Sequence, residues 1–191
     1  MEPTLWGPGL WHLLFSIAWQ CHDKVLPDLL RVILYHVPTL LPCQQCQDHY
    51  VRNHLTLRKR HGEPTTACEA FVWLYHLKDA VNKSLHTPSI SLADLRQRYR
   101  TFGARLDDVL VADTLLLVAI GNEDQGNDDV FIEFCRALAN LLPLPDDSEL
   151  VWSMQKMRKP VVSYAFRACK NTRKEHGIPF PSLKHVRESL S

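Results

Sequence analysis

The segment from residue 41 to residue 50 reads LPCQQCQDHY and places two cysteines three positions apart at the start of a predicted helix. Pro42 suits the position just before or within the first helical turn, where its missing N–H costs no hydrogen bond. The free N–H groups and the positive end of the helix dipole stabilise a thiolate there. The spacing also lets Cys43 and Cys46 close a disulfide across one turn. The segment therefore predicts a reactive dithiol–disulfide pair, with Cys43 as the accessible sulfur, on a helix that runs to about Lys59.

Helical periodicity continues on both sides of this segment. Apolar residues recur every three or four positions at 10–18, 29–37 and 71–85. Pro27 suits the first turn of the second helix, and Pro38 is expected to end it. Thr66 and Glu69 have the spacing of a capping box, Pro88 stops the helix that they begin, and a short helix is predicted at 92–99. No alternating strand pattern of useful length is present, so residues 1–100 predict an all-α bundle of four helices and a short fifth.

The second half of the chain also predicts helices, at about 107–120, 130–142, 147–158 and 160–175. Prolines break this pattern at 143–145, at 160 and at 179–181. Residues 1–100 carry 11 basic and 8 acidic side chains. Residues 101–149 carry 2 basic and 11 acidic side chains, whereas residues 150–191 carry 9 basic and 2 acidic ones. This change predicts two regions, a domain at 1–100 and a helical C-terminal extension at 101–191. Either the acidic and basic parts of the extension pair with each other, or they form a partner-binding surface.

Composition excludes several classes of protein. The 191 residues are 46% hydrophobic with a net charge of +1, which is typical of a globular protein and removes the simple case for a nucleic-acid binder. The seven glycines form neither a dinucleotide fingerprint nor a P-loop. The N-terminus lacks a basic signal-peptide region and no apolar stretch is long enough to span a membrane, so a cytosolic or nuclear protein is expected. Six cysteines in such a protein favour metal or redox chemistry over a disulfide scaffold.

Three interpretations of the cysteine pair are open at this point. The first is a zinc site made by Cys43, Cys46 and His49, with His54 as a fourth ligand, although structural zinc sites usually combine two separated ligand pairs. The second is a thioredoxin-like site, which needs a βαβ context that the chain lacks. The third is a helical redox bundle with a further electron acceptor, which the residues alone do not identify.

Four motifs in register suggest the acceptor. They are Trp6-Gly7-Pro8-x-x-Trp11-x-x-Leu14, Leu41-Pro42-Cys43-x-x-Cys46-x-x-His49-Tyr50, Phe71-x-Trp73-Leu74 and Val81-Asn82-x-x-Leu85-x-x-Pro88. In their order and intervals over residues 6–99, they resemble the Erv/ALR family of FAD-linked sulfhydryl oxidases, most of all the short forms of large DNA viruses. Three residues depart from the family pattern. This chain has Phe15 where family members have histidine, and it has Lys78 and Asp79 where they have His-Asn. Tyr75 stands where cellular members have a structural cysteine.

The resemblance implies an FAD-dependent thiol oxidase with FAD in the mouth of the bundle. Cys43 would exchange with a protein dithiol, Cys46 would pass electrons to the flavin, and molecular oxygen would be reduced to hydrogen peroxide. Lys78 would bring a positive charge to a flavin phosphate or to the reduced ring. The implied cofactor-binding positions are Trp6, Gly7, Trp11, Phe15, Cys46, His49, Tyr50, Trp73, Lys78, Asp79, Val81, Asn82, Leu85, Arg98 and Tyr99.

The resemblance also implies a homodimer formed through the first two helices, without a membrane span. It places the protein in the cytoplasm or nucleus of an infected host cell or in the virion. Family members often carry a shuttle disulfide on a tail. Cys135 and Cys169 therefore form such a shuttle pair, have a structural role, or make no disulfide. Cys21 and Cys68 are buried thiols or a bridge. The alternative function is an inactive helical scaffold, with zinc at the cysteine pair and His49.

Overall fold

The computed structural model describes residues 1–21, 23–102, 107–142 and 148–190, and within these ranges it contains helices and no strand. The predicted all-α fold is confirmed. The helices of the first half are α1 (Pro3–Gln20), α2 (Leu26–Arg31), α3 (Val37–Leu40), α4 (Gln44–His61), α5 (Ala67–Ser84) and α6 (Leu92–Phe102). Those of the second half are α7 (Asp108–Gly121), α8 (Asp128–Leu141), α9 (Glu149–Gln155), α10 (Val161–Glu175) and α11 (Leu183–Ser189).

The expected end of the second helix at Pro38 is wrong. After α2 the chain continues through a π-helical turn, Val32–His36, and directly into α3. The N–H of Val37 donates to the carbonyl of Val32, which closes the wider turn. Pro38 then falls in the first turn of α3, where the missing N–H and the fixed φ angle do no harm. The helical path therefore reaches Leu40, three residues before the first cysteine of the pair.

The bundle is formed by α1 and α4, which both pack against α5. Buried leucines and isoleucines of α1 and of the α2–α3 segment fill its centre. At one side of the bundle, four rings from α1, α5 and α6 form an aromatic cluster with centroid distances of 5.2 to 6.2 Å: Phe15, Trp19, Phe71 and Tyr99. The capping box predicted for α5 is confirmed, since the Thr66 hydroxyl accepts from the N–H of Glu69.

The second half of the chain packs directly on the first. Helix α7 lies against α1 and α10, and α8 lies against the π-helical turn, α2 and α3. The backbones of α1 and α7 approach closely at Gly9, where a Cβ atom would lie 2.2 Å from the Thr114 hydroxyl oxygen. One core of buried residues runs through both halves. The helices of the second half thus cover faces of α1 and of the α2–α3 segment. The boundary at residue 100 stays a prediction.

Charges within the second half pair across its helices. Lys159 contacts Asp129, and the guanidinium groups of Arg173 and Arg187 contact Asp113 and Glu123. These contacts follow the expected pairing of the acidic stretch with the basic one.

Helix α11 was not predicted from the sequence. It begins where the Ser182 hydroxyl accepts from the N–H of His185. The predicted proline break at 143–145 lies outside the described residues. Among the described helices, none combines the length and the apolar character that a bilayer crossing requires.

Candidate active site

The two cysteines of the 41–50 segment form a disulfide at the start of α4, with a Cα–Cα distance of 5.2 Å. Cys43 is the N-cap residue, and its sulfur accepts a hydrogen bond from the N–H of Cys46 at 3.2 Å. Both cysteines are half-buried. The sulfur of Cys43 therefore occupies the position where an N-cap oxygen usually satisfies the helix, and a thiolate there would accept the same hydrogen bond.

A cavity of about 300 Å³ opens beside Cys46, between the start of α1, the start of α4 and the end of α5. We refer to it as the inner cavity. Its lining is mostly apolar and includes ten of the predicted cofactor positions: Trp6, Gly7, Trp11, Cys46, His49, Tyr50, Lys78, Val81, Asn82 and Leu85. Residues from three separate helices, up to 79 positions apart in sequence, are thus brought to one site.

The remaining predicted cofactor positions lie elsewhere. Phe15, Arg98 and Tyr99 line a neighbouring cleft of about 690 Å³, the side cleft, which shares Pro8, Trp11 and Lys78 with the inner cavity. Trp73 and Asp79 line neither space. Trp73 is buried with its ring 5.7 Å from that of His54, and the Asp79 carboxylate accepts from the Lys83 amine at 2.6 Å.

On its other side the disulfide faces a third space of about 520 Å³, the outer cleft. Cys43 lines this cleft and not the inner cavity, whereas Cys46 and His49 line both. Of the two cysteines, Cys43 is thus reached from the outer cleft and not from the inner cavity, whereas Cys46 is in contact with both spaces. With this arrangement, the disulfide can take electrons from a molecule in the outer cleft and pass them to an acceptor in the inner cavity.

Lys78 places an amine between the inner cavity and the side cleft. Its Nζ atom lies 5.0 Å from the centre of the Trp11 ring, a cation–π distance. Partial burial lowers the pKa of the Lys78 amine, and no carboxylate among the described residues pairs with it. A half-buried cation without an acidic partner is stabilised by an anionic ligand.

Tyr50 ties the cavity to the π-helical turn. Its buried hydroxyl donates to the carbonyl of Ile33 at 3.0 Å, and its ring stacks near Trp11 at 6.4 Å. Burial raises the pKa of the Tyr50 phenol, so the group stays a hydrogen-bond donor. The indole Nε1 of Trp6, also in the cavity lining, is buried without a hydrogen-bond partner among the described residues. A flat ligand with polar edges fits such a lining, because aromatic faces can stack on it and its acceptors can satisfy the indole.

Sequence reasoning missed the loop between α7 and α8, which holds the turn before Cys43. The side chain of Asn122 is buried, and its amide donates to the carbonyl of Leu40 at 2.6 Å. Asn127 donates to the carbonyl of Thr39 at 3.2 Å. A Cβ atom on Gly121 would lie 2.1 Å from that of Pro42, so the backbone at Gly121 lies directly against the Pro42 ring. No local pattern links residues 80 positions apart, and only the fold shows this contact.

The other cysteines do not join this site. Cys135 and Cys169 are buried and not bonded to each other, and Cys68 is exposed. Burial raises the pKa of the Cys135 thiol. Burial together with the adjacent Asp113 carboxylate raises that of Cys169.

The described residues hold no group of three or more metal-ligating side chains of the kind that a zinc site needs. His54 lies against Trp73, not beside the cysteine pair. The zinc interpretation is not favoured, because Cys43 and Cys46 are joined in a disulfide, which leaves neither sulfur as a thiolate ligand.

Comparison with known proteins agrees with this geometry. A family model described as the Erv1 / Alr family matches residues 8–100. The chain is 26% identical over 103 residues to 096R, named as a candidate FAD-linked sulfhydryl oxidase, of Invertebrate iridescent virus 3, covering 52% of this chain and 69% of that protein. It is 30% identical over 59 residues to 347L, similarly named, of Invertebrate iridescent virus 6, covering 28% of this chain and 53% of that protein. No solved structure gives a significant match.

The family match includes α4 with both cysteines and the end of α5 that closes the inner cavity. The motifs, the disulfide and the comparisons therefore agree on the same segment. Residues 8–100 of this chain therefore match the Erv1 / Alr family.

Proposed function

We propose that the protein is an FAD-dependent sulfhydryl oxidase that forms disulfides in protein substrates, reducing molecular oxygen to hydrogen peroxide. The observation that carries this proposal is the position of the Cys43–Cys46 disulfide between the outer cleft and the inner cavity. The match of residues 8–100 to the Erv1 / Alr family supports the same reaction. The scaffold alternative is not favoured, because aromatic rings and Cys46 line one cavity beside the Cys43–Cys46 disulfide.

The chain's own residues account for thiol exchange. A substrate thiolate in the outer cleft attacks the sulfur of Cys43, the Cys43–Cys46 bond breaks, and the electron pair of that bond leaves on the sulfur of Cys46. A second substrate thiolate then attacks the first substrate sulfur and releases Cys43 as a thiolate. The hydrogen bond from the N–H of Cys46 and the start of α4 stabilise the charge on Cys43. The substrate leaves with a new disulfide, and the enzyme keeps two electrons and a reduced pair.

The inner cavity and the side cleft fit FAD by the chemistry of their lining. The aromatic rings of Trp6, Trp11 and Tyr50 suit flat rings, and the Lys78 amine suits a phosphate or another anionic edge. Arg98 and Tyr99 in the side cleft would hold the outer part of the cofactor. When bound there, FAD supplies the two-electron acceptor that reoxidises the cysteine pair and in turn reduces oxygen. We further propose, from the resemblance, that Phe15, Trp73 and Asp79 belong to the cofactor-binding positions. Phe15 lines the side cleft, and the buried indole Nε1 of Trp73 has no hydrogen-bond partner among the described residues.

The homodimer implied by the resemblance stays a prediction. One face of α1 lies against α7 and one face of the α2–α3 segment lies against α8, so a second copy would have to use another face, such as the one with the exposed Tyr35. We also propose, from the resemblance alone, that the protein acts in the cytoplasm or nucleus of an infected host cell or in the virion. The division into an oxidase domain at 1–100 and an extension at 101–191 is part of the same proposal.

The visible absorption spectrum of the purified protein tests the function. A flavin band should bleach when dithiothreitol is added under nitrogen and return when air is admitted. The Cys43→Ser variant should keep the bound flavin and lose dithiol turnover, because it lacks the sulfur that accepts the substrate. The matched control is Cys68→Ser, whose residue lies outside the site and should leave turnover unchanged. A colourless protein, or full peroxide production by Cys43→Ser, would contradict the proposal.

A further inference from the structure

The last helix of the chain lies beside the disulfide formed near its beginning. Leu190, which caps α11, lines the outer cleft together with Cys43. Helix α11 is fixed there by Arg187, whose Nη2 atom contacts both carboxylate oxygens of Glu123, one of them at 2.7 Å. Val186 also packs against the core. Leu190 is therefore held in the cleft by a charged anchor and an apolar one.

The anchor of α11 is itself connected to the turn that leads to Cys43. Glu123 belongs to the α7–α8 loop, whose Asn122 and Asn127 hold the carbonyls of Leu40 and Thr39. The position of α11 is thus coupled to that of the reactive sulfur through a short series of direct contacts. Because these contacts fix Leu190 beside Cys43, this part of the outer cleft can select among substrates.

The outer cleft has a mixed lining with exposed apolar groups. Met1, Pro3, Leu85 and Leu190 provide apolar surface, and Glu2, Gln45 and His49 provide polar atoms. Leu85 is 53% exposed. An apolar side chain next to the reacting cysteine of a substrate would remove such surface from water, whereas a polar one would gain little.

We propose that α11 is a specificity-determining element of the thiol-exchange reaction. Leu190 contacts the residue beside the reactive cysteine of the substrate and favours substrates in which that residue is apolar. This inference rests on the proposed function in one respect, that Cys43 is the sulfur which meets the substrate. It gives the C-terminal region a role at the active site.

Exchange at Cys43 can be measured without flavin or oxygen, in the Cys46→Ser variant. Two peptides would be compared, identical except for leucine or serine beside a cysteine that carries 5-thio-2-nitrobenzoate in a mixed disulfide. The Cys43 thiolate attacks the peptide sulfur, a new disulfide joins protein and peptide, and the coloured nitrobenzoate thiolate leaves. The rate in a Cys43→Ser, Cys46→Ser protein is subtracted to remove reaction at Cys68.

The leucine peptide should react about tenfold faster than the serine peptide, a ratio equivalent to about 1.4 kcal/mol. Leu190→Ala should bring this ratio close to one by slowing the leucine peptide alone. Arg187→Ala should do the same by releasing α11. Lys184→Ala is the matched control on the same helix and should keep the ratio, since the ion pair of Lys184 is with Glu188, within α11 itself.

Two results would overturn the inference. One is equal rates for the two peptides with the Leu190 side chain present, and the other is a Leu190→Ala variant that slows both peptides alike. Because the assay needs neither cofactor nor turnover, it separates this inference from the oxidase function. A selective exchange in a protein that lacks a flavin band would contradict the proposed function and leave the role of α11 in place.

Discussion

Lys78 is the side chain whose chemistry departs most from the family pattern, and its position makes the departure testable. Its amine is half-buried, lacks a carboxylate partner among the described residues, and lies over the Trp11 ring. Lys78→Met should weaken FAD binding by about tenfold, because a favourable charge contact of roughly 1–2 kcal/mol is lost. Equilibrium dialysis against FAD measures the change.

The control for this substitution is Lys83→Met, one turn further along α5. Lys83 is exposed and pairs with Asp79, so its loss should leave FAD affinity unchanged. Equal affinity in both variants would show that the Lys78 amine does not contact the cofactor. Lys78→Arg should restore much of the binding, since it keeps the positive charge.

The residues of the site were predicted from the family motifs and not from helical spacing. Trp11, Cys46 and Lys78 were expected at the cofactor from the resemblance, and all three line the inner cavity. The resemblance also implies cofactor contact for Trp73, which lies with its ring against that of His54, and its role stays a prediction. Asp79 was expected there as well, yet the adjacent Lys83 amine holds it. Competition between neighbouring partners decides such cases, and the spacing of residues does not reveal it.

The connection between α2 and α3 could not be predicted from the sequence pattern. Pro38 was expected to stop a helix, because a proline removes one N–H from the regular hydrogen-bond ladder. The π-helical turn before it moves this proline into a first turn, where the N–H is not needed. The spacing of apolar residues in the sequence does not predict a π-helical turn of this kind.

The α7–α8 loop provides a test of how helix connections support the site. Asn122→Ala should lower the free energy of unfolding by about 1–3 kcal/mol, because the buried carbonyl of Leu40 loses its donor. It should also change the reduction potential of the Cys43–Cys46 pair, since the turn before Cys43 would relax. Thermal unfolding and titration against a glutathione buffer measure the two effects.

Asp124→Ala serves as the control in this loop, because Asp124 is exposed and its side chain makes no hydrogen bond or ion pair with the described residues. It should leave both quantities within error. An Asn122→Ala protein that loses stability without any change in the potential would mean that the loop supports the fold and not the cysteine pair.

At the scale of the whole molecule, the second half of the chain packs on the helices that the predicted homodimer would use. Helix α7 covers one face of α1, and α8 covers one face of the α2–α3 segment. The predicted homodimer should therefore use a face that these helices leave open, such as the one with the exposed Tyr35. Sedimentation equilibrium should then give twice the chain mass of 22.0 kDa, and a species of 22.0 kDa would contradict the predicted dimer.

The contact between the two halves should also make stability depend on pH. His36 is buried against α8, and burial lowers the pKa of its imidazole, with a smaller opposing effect of Glu133. The folded chain thus disfavours the proton that the unfolded chain accepts below about pH 6.5, so the free energy of unfolding should fall as the pH falls through that value. Urea denaturation at a series of pH values measures this dependence.

His36→Gln should make the pH dependence shallower, because glutamine does not titrate. The half-buried His54 also has a lowered pKa, which burial causes, and it should account for part of the remaining slope. His185→Gln, at an exposed position, is the control and should leave the curve unchanged. A curve for His36→Gln that matches the unmodified protein would exclude this histidine as the origin.

The location of the spare thiols has a consequence for the lifetime of the protein. An enzyme that releases hydrogen peroxide exposes itself to its own product, and peroxide oxidises thiolates that solvent can reach. Cys135 and Cys169 are buried, and burial raises the pKa of each thiol, so both stay protonated and out of contact with peroxide. Cys68 is exposed at the start of α5. After prolonged turnover, peptide mass spectrometry should find sulfinic and sulfonic acids at Cys68 and intact thiols at the two buried positions. Oxidation by the released peroxide would then accumulate at an exposed residue and leave the core unchanged.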